Sequence, residues 1–178
     1  MYSHWIRRNR RNVGIPLALV VLILAKFDAR YLWLSIAMVA SGEAIRIWAA
    51  GHLQKEKVMT TGGPYRLIRN PLYLGSFLIA AGFSVVAGSI WVWLIVFAYF
   101  LLCYIPVIRY EENILREKFP DEYPPYAQAV PALYPGTRLY PKSTTFFTWK
   151  QALKNKEYNA VLGILAGYVC LFVRSAFL

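Results

Sequence analysis

Residues 72–108 read LYLGSFLIAAGFSVVAGSIWVWLIVFAYFLLCYIPVI and contain no charged side chain. Gly88 and Ser89 divide this stretch into two apolar runs, 72–88 and 89–108. Each run is close to the roughly 20 residues that a helix needs to cross the hydrocarbon core of a bilayer. The short Gly-Ser break predicts a tight helical hairpin. Helices are expected because a lipid-exposed backbone must satisfy its own hydrogen bonds.

Three further apolar runs cover residues 13–27, 31–53 and 159–178. Hydrophobic residues make up 58% of the 178-residue chain and charged residues only 16%, which is too apolar for a soluble domain. We therefore predict an all-α integral membrane protein with about five transmembrane helices. The whole chain, residues 1–178, is expected to form a single membrane-embedded domain.

The formal net charge is +11, and the basic residues stand beside the apolar runs. Lys and Arg are concentrated before residue 13, between residues 54 and 71, and between residues 109 and 158. Five spans would place these segments on one side of the membrane, and the positive-inside rule predicts that this side, with the N-terminus, is cytoplasmic. Basic residues in these places indicate contact with anionic membrane lipids, and we expect no nucleic-acid partner.

Glu43 and Arg46 are three residues apart within the second apolar run and share one face of the predicted helix. Because pairing lowers the cost of charge in the bilayer, we interpret them as a structural ion pair in preference to a substrate contact. The two cysteines lie inside apolar runs and the chain has only two histidines, His4 and His52. We therefore expect no metal site and no histidine-based catalytic triad.

The first polar stretch that could carry chemistry contains residues 51–55 (GHLQK), 60–66 (TTGGPYR) and 69–75 (RNPLYLG). Its glycines allow close backbone approach to a ligand, and Pro71 suits the first turn of the next helix. The N–H groups at that helix start could bind an anionic group such as a carboxylate. An ordinary loop whose basic residues contact lipid phosphates is the alternative interpretation.

The second polar stretch starts with residues 109–112 (RYEE), directly after the fourth apolar run, and continues to Pro135. Adjacent carboxylates at a membrane surface repel each other and the anionic headgroups, so Glu111 and Glu112 require a cationic or hydroxyl-bearing partner. A solvated acidic turn, or salt bridges to Arg66 and Arg69, is the alternative.

The order of these motifs resembles the isoprenylcysteine carboxyl methyltransferase family. The matching pattern runs over about residues 43–135 as GPYR, RNPLYLG, a helical hairpin, Glu-Glu, then YxxY and Val-Pro. The resemblance implies several transmembrane helices, a cofactor pocket at the cytoplasmic face and a tunnel that admits a lipophilic substrate from the bilayer. Asn70 is similar to the asparagine of related phospholipid methyltransferases.

The resemblance also implies S-adenosyl-L-methionine as the cofactor and a set of residues that bind it. These residues are His52, Gln54, Lys57, Val58, Met59, Thr60, Tyr65, Asn70, Pro71, Leu72, Tyr73 and Glu111. Arg109 and Glu112 are the candidate catalytic residues. Val107 falls where the prenylcysteine enzymes have a substrate-binding arginine, for which Arg109 could substitute, and Glu112 could deprotonate an amine acceptor.

The function that the resemblance implies is S-adenosylmethionine-dependent methyl transfer to a lipophilic acceptor, with the carboxylate of a prenylcysteine-like substrate as the first candidate. A carboxylate that attacks a sulfonium needs no general base, because charge is lost in the transition state. Three alternatives are a phospholipid amine methyltransferase, an NADPH-dependent membrane reductase of the sterol type, and a catalytically silent membrane scaffold.

Overall fold

The computed structural model describes residues 14, 16–54 and 58–177, and every regular element within them is helical. The helices are α1 (16–24), α2 (Leu32–His52), α3 (Pro71–Val86), α4 (Ile90–Tyr99), α5 (Ile105–Lys118), α6 (Tyr123–Ala129), α7 (Trp149–Lys154) and α8 (Tyr158–Phe177). Short 3-10 turns cover Ala29–Tyr31 and Gly63–Arg66, and a π-helical turn, Phe100–Tyr104, joins α4 to α5. The all-α prediction is confirmed.

Three helical segments are long and apolar enough to cross a membrane: Ala29–His52, Ile90–Lys118 and Tyr158–Ala176. In the part of the chain that the structure describes, the other two predicted apolar runs form helices shorter than the roughly 20 residues expected of a span. α3 is apolar but has 16 residues, a length of about 24 Å. In the first run, residues 16–24 are helical, and its beginning lies outside the described residues. The chain is an all-helical membrane protein whose apolar segments are unequal in length.

The fourth span was predicted to end at residue 108, where the apolar run ends. The helix instead continues to Lys118. Pro106 lies in the first turn of α5, directly after the π-helical turn. A proline inside a helix removes one N–H donor and clashes with the carbonyl four residues before it, and a π-helical turn is a way to absorb such a change. As a consequence, Glu111 and Glu112 lie on a helix and not in a loop.

The predicted hairpin between α3 and α4 is confirmed. α3 ends at Val86, Gly88 adopts a positive φ of 58°, and α4 begins at Ile90. The chain after α1 closes this end of the bundle, because the Lys26 amide donates to the Ala87 carbonyl at 2.8 Å. This bond satisfies a carbonyl that the end of α3 leaves without a helical partner.

α2 packs mainly against α3 through small residues. A Cβ added to Gly75 would lie 2.5 Å from the Gly42 carbonyl oxygen, and one added to Gly42 would lie 2.7 Å from that of Gly75. A Cβ on Gly82 would lie 2.7 Å from the Val39 side chain. Glycine therefore allows the two backbones to approach closely, as is common between membrane helices.

Gly75→Ala is expected to destabilise the protein by about 1–3 kcal/mol, because the added methyl group meets the Gly42 backbone and the Arg46 side chain and forces the helices apart. Thermal unfolding in detergent micelles measures the loss. Gly163→Ala in α8 is the matched control, since an added Cβ there has nothing within 4 Å. Equal unfolding temperatures for the two variants would contradict this account of the α2–α3 contact.

Candidate functional site

A cavity of about 450 Å³ opens between the chain that connects α2 to α3 and the helices α5 and α6. Many of the predicted site residues line it: Gln54, Val58, Met59, Thr60, Tyr65, Asn70, Glu111 and Glu112. Further apolar wall is provided by Leu53, Ile114, Leu115 and Phe119. The glycine- and proline-rich stretch and the acidic stretch, which are about 40 residues apart in sequence, therefore form one site; volumes of about 300–1,000 Å³ are usual for small-molecule pockets.

Glu111 is tied to α3 by a hydroxyl group. The Tyr73 Oη donates a hydrogen bond of 2.9 Å to Glu111 Oε2. Tyr73 lies in the first turn of α3 and Glu111 lies on α5, so the bond connects the two helices beside the cavity. The carboxylate is held in one orientation by a neutral donor and still lines the cavity.

Glu112 has a cationic partner. Its Oε1 lies 3.3 Å from Arg69 Nε and accepts a hydrogen bond of 3.1 Å from Asn70 Nδ2. Asn70 also donates to the Ala132 carbonyl at 3.2 Å. The adjacent carboxylates thus have one partner of each predicted kind, a hydroxyl for Glu111 and a cation for Glu112. Arg66, the other predicted cation, instead donates to the Tyr140 carbonyl at 2.7 Å.

Three tyrosines form the buried wall of the cavity. Tyr65, Tyr123 and Tyr126 are all buried, and the Tyr126 Oη donates to the Tyr65 carbonyl at 2.8 Å. Burial raises the pKa of Tyr123 to about 12, and burial also raises the pKa of Tyr65 and of Tyr126. These phenols are therefore neutral at physiological pH, where they can donate hydrogen bonds but cannot serve as anionic bases.

The loop before α3 is held against a distant segment. The Thr61 amide donates to Thr144 Oγ1 at 3.1 Å, and Thr61 Oγ1 donates to the Lys142 carbonyl at 2.8 Å. A Cβ on Gly62 would lie 2.0 Å from the Thr145 carbonyl oxygen. The loop that carries Met59 and Thr60 into the cavity is consequently fixed by residues that follow α6.

Several predicted residues lie beside the cavity without lining it. Pro71 begins α3, the Leu72 carbonyl accepts a hydrogen bond from Ser76 Oγ within that helix, and Tyr73 reaches the site through Glu111. His52 is buried, with its ring 6.0 Å from that of Phe147. Lys57 lies outside the described residues.

Arg109 is exposed and is not part of the cavity lining. Two residues along a helix correspond to about 200° of rotation, so Arg109 and Glu111 lie on different sides of α5. The structure brings Glu112, but not Arg109, to the candidate site.

Sequence reasoning missed other lining residues, namely Leu53, Arg69, Ile114, Leu115, Lys118, Phe119, Tyr123 and Tyr126. The signal for those on α5 is helical periodicity. Glu111, Leu115 and Lys118 recur at spacings of four and three residues, which place them on one helix face. An interpretation of residues 105–118 as a continuous helix would have identified this wall.

The predicted ion pair in α2 is present and has an additional member. Arg46 Nε lies 3.6 Å from Glu43 Oε2, and Arg46 Nη2 lies 2.6 Å from Glu157 Oε1. Arg46 also donates to Ser76 Oγ on α3. One guanidinium therefore joins α2, α3 and the turn before α8, which supports the structural interpretation. Among the residues that the structure describes, no group of three or more His, Cys, Asp or Glu could hold a metal ion.

The family model for phospholipid methyltransferases matches residues 30–122. The chain belongs to the phospholipid methyltransferase family. This family is one of the membrane methyltransferases related to the isoprenylcysteine carboxyl methyltransferases, and the resemblance inferred from the motifs is confirmed. The matched region contains the α2–α3 contact, the hairpin and both carboxylates of the cavity.

Two relatives are similar along most of their length. The nickel-cobalt-cadmium resistance protein NccN of Alcaligenes xylosoxydans xylosoxydans is 30% identical over 76% of this chain and 67% of its own length. The cobalt-zinc-cadmium resistance protein CzcN of Cupriavidus metallidurans is 30% identical over 78% of this chain and 70% of its own length. No solved structure matches the chain.

Glu112→Gln is expected to lower the free energy of unfolding by about 1–3 kcal/mol, because it leaves the largely buried Arg69 guanidinium without its anionic partner. Thermal unfolding in micelles measures the change. Glu117→Gln is the control, since Glu117 is an exposed glutamate on the same helix. A Glu112 variant as stable as the Glu117 variant would show that the Arg69 pair contributes nothing.

The buried tyrosines predict a loss of stability in alkali. The unfolded-state pKa of tyrosine is about 10, and the folded-state pKa of Tyr123 is about 12. Above pH 10 the unfolded chain releases the phenolic proton before the folded chain does, so stability falls as pH rises through this window. Unfolding temperatures recorded from pH 8 upward should fall less steeply for Tyr123→Phe. Tyr134→Phe, at a site that is 68% exposed, should keep the slope of the unchanged protein.

Proposed function

We propose that this protein is a membrane methyltransferase that uses S-adenosyl-L-methionine and transfers a methyl group to a lipophilic acceptor. The observation that carries the proposal is the cavity that joins Glu111, Asn70 and Tyr65 at the ends of membrane helices. Membership of the phospholipid methyltransferase family supports a methyltransferase over a nicotinamide-dependent reductase.

The residues of the cavity fit the chemistry of that cofactor. Its ribose hydroxyls and its ammonium group call for acceptors, which Glu111 and the Gln54 amide offer. Its carboxylate calls for cations, which Arg69 and Lys118 offer. The adenine ring and the carbon chain beside the sulfonium call for apolar wall, which Met59, Leu115 and Phe119 are among the residues to supply. The bound cofactor would contribute a methyl group activated by its sulfonium charge.

The chain itself contributes position. Glu111 is oriented by the Tyr73 hydroxyl, and apolar side chains form part of the cavity wall. Positioning of this kind can provide much of the acceleration of a displacement in which opposite charges meet. Tyr65 and Tyr123, as neutral phenols, can donate hydrogen bonds without adding negative charge, whereas the Tyr126 hydroxyl already donates to the Tyr65 carbonyl.

Two acceptor classes have support. A carboxylate, as in a prenylcysteine-like substrate, requires no base and so leaves the pairing of Glu112 with Arg69 intact. An amine of a phospholipid is favoured by the family match. For the amine, Glu112 is the candidate base, but accepting a proton would cost its pairing with Arg69. The acceptor would enter from the bilayer beside the helices.

We also propose that the cavity faces the cytoplasm. The basic loops around residues 54–71 and 109–158 stand on the side of the cavity, and the positive-inside rule assigns that side to the cytoplasm. The first residues of the chain, on which part of the sequence prediction rested, lie outside the described residues.

Glu111→Gln is expected to weaken binding of S-adenosyl-L-methionine about 10- to 100-fold. Charge-assisted hydrogen bonds contribute about 1.5–3 kcal/mol, and each 1.4 kcal/mol corresponds to about a factor of ten in affinity. Titration calorimetry on the purified protein in micelles measures the change, with NADPH as a second ligand. Glu117→Gln, on the same helix but exposed, should bind the cofactor as the unchanged protein does.

Incubation with methyl-labelled cofactor and a panel of phospholipids and prenyl-cysteine peptides then distinguishes the acceptor classes. Label on a phospholipid amine supports the amine class, and label on a peptide carboxylate supports the carboxylate class. Tight binding of NADPH together with no binding of S-adenosyl-L-methionine would overturn the proposed function.

A further inference from the structure

The segment between α6 and α8 exposes three large apolar side chains on one side. Phe146 is 82% exposed, Trp149 is 67% exposed and Leu153 is 60% exposed. Trp149 and Leu153 are four residues apart on α7 and share a helix face, and Phe146 lies three residues before the start of that helix. Contiguous exposed apolar side chains on a polar segment mark an interaction surface.

Cations accompany these apolar side chains. Lys142, Lys150, Lys154 and Lys156 are all exposed, and residues 142–156 contain no acidic residue. Aromatic and aliphatic side chains combined with lysines are typical of segments that lie in the interface of an anionic bilayer. The charge and the composition therefore favour an anionic lipid surface over a protein partner.

The fold holds this segment where two membrane helices end. Gln151 Nε2 donates to the Leu53 carbonyl at 2.6 Å, and Asn155 Nδ2 donates to the Ala50 carbonyl at 2.8 Å. These bonds cap the carbonyl end of α2, and α8 begins at Tyr158. Since α2 and α8 both belong to candidate spans, the segment between them is placed at the level of the lipid headgroups.

The inner side of the same segment holds the loop of the candidate site. Phe147 packs on Gly51 and on the His52 ring, with ring centres 6.0 Å apart. Thr144 accepts from the Thr61 amide and donates to the Met59 carbonyl. One face of the segment is therefore exposed, and the opposite face contacts the loop that lines the cavity.

We propose that residues 142–154, here named the docking segment, bind the anionic headgroups of the membrane. Phe146, Trp149 and Leu153 insert below the headgroups while the lysines contact lipid phosphates. This docking holds the loop Met59–Gly63 in the conformation that forms the cavity. Anionic lipid is therefore a partner that orders the site, and the inference does not require that the protein be catalytically active.

The first experiment measures the depth of position 146. Phe146→Cys, in a chain whose Cys103 and Cys170 are replaced by serine, carries an environment-sensitive fluorophore in nanodiscs of three parts phosphatidylcholine to one part phosphatidylglycerol. The label should be quenched by headgroup spin-labelled lipid and protected from iodide. Glu117→Cys is the water-exposed control and Leu94→Cys the hydrocarbon control. A label at position 146 as accessible to iodide as the one at position 117 would overturn the docking.

The second experiment measures hydrogen–deuterium exchange of the peptide that contains Met59–Gly63. Exchange should be about threefold or more slower in the phosphatidylglycerol discs than in phosphatidylcholine alone. The double variant K150Q/K154Q should lose this difference, whereas K26Q, which changes an exposed lysine outside the docking segment, should keep it. Equal exchange in the two kinds of disc, or a difference that survives in K150Q/K154Q, would overturn the link between lipid and loop.

Discussion

The close contact between α2 and α3 is the constraint on which the rest of the structure depends. With no Cβ at Gly42 and Gly75, the two backbones meet directly, and Arg46 can reach from α2 to Ser76 on α3. In a bilayer, where lipid competes with every apolar contact, close packing and internal polar pairing are what hold helices together. The position of α3 in turn sets the position of Tyr73 and Asn70, and hence of both cavity carboxylates.

Neutralisation of charge is the second requirement. Glu111 and Glu112 are neighbours on α5, so each needs a partner that the other cannot provide. Tyr73 and Arg69 with Asn70 meet this need from the beginning of α3 and the turn before it. The arrangement leaves a site with carboxylates, cations and neutral phenols around an apolar wall. Such a mixture offers partners of both charges together with apolar contact to a ligand.

The sequence predicted the class of fold and half of the residues that line the cavity, and its errors have identifiable causes. Ending the helix at residue 108 leaves Leu115, Lys118 and Phe119 outside the predicted site. Arg109 entered the prediction through the resemblance, because Val107 falls where the prenylcysteine enzymes have an arginine. Hydropathy decreases along α5, but helical hydrogen bonding does not depend on hydropathy and continues to Lys118. A boundary taken from apolar content alone therefore conceals the helical spacing of the side chains beyond it.

The sequence by itself determined that the chain lies in a membrane, that it is helical and that its polar motifs follow apolar runs, because these properties depend on local composition and spacing. Only the tertiary structure decided that Glu157 shares Arg46 with Glu43, and that Thr144 holds Thr61 across 83 positions of sequence. Such contacts depend on how rigid helices are arranged relative to one another. No local pattern encodes that arrangement, since it follows from where the glycines let two helices meet.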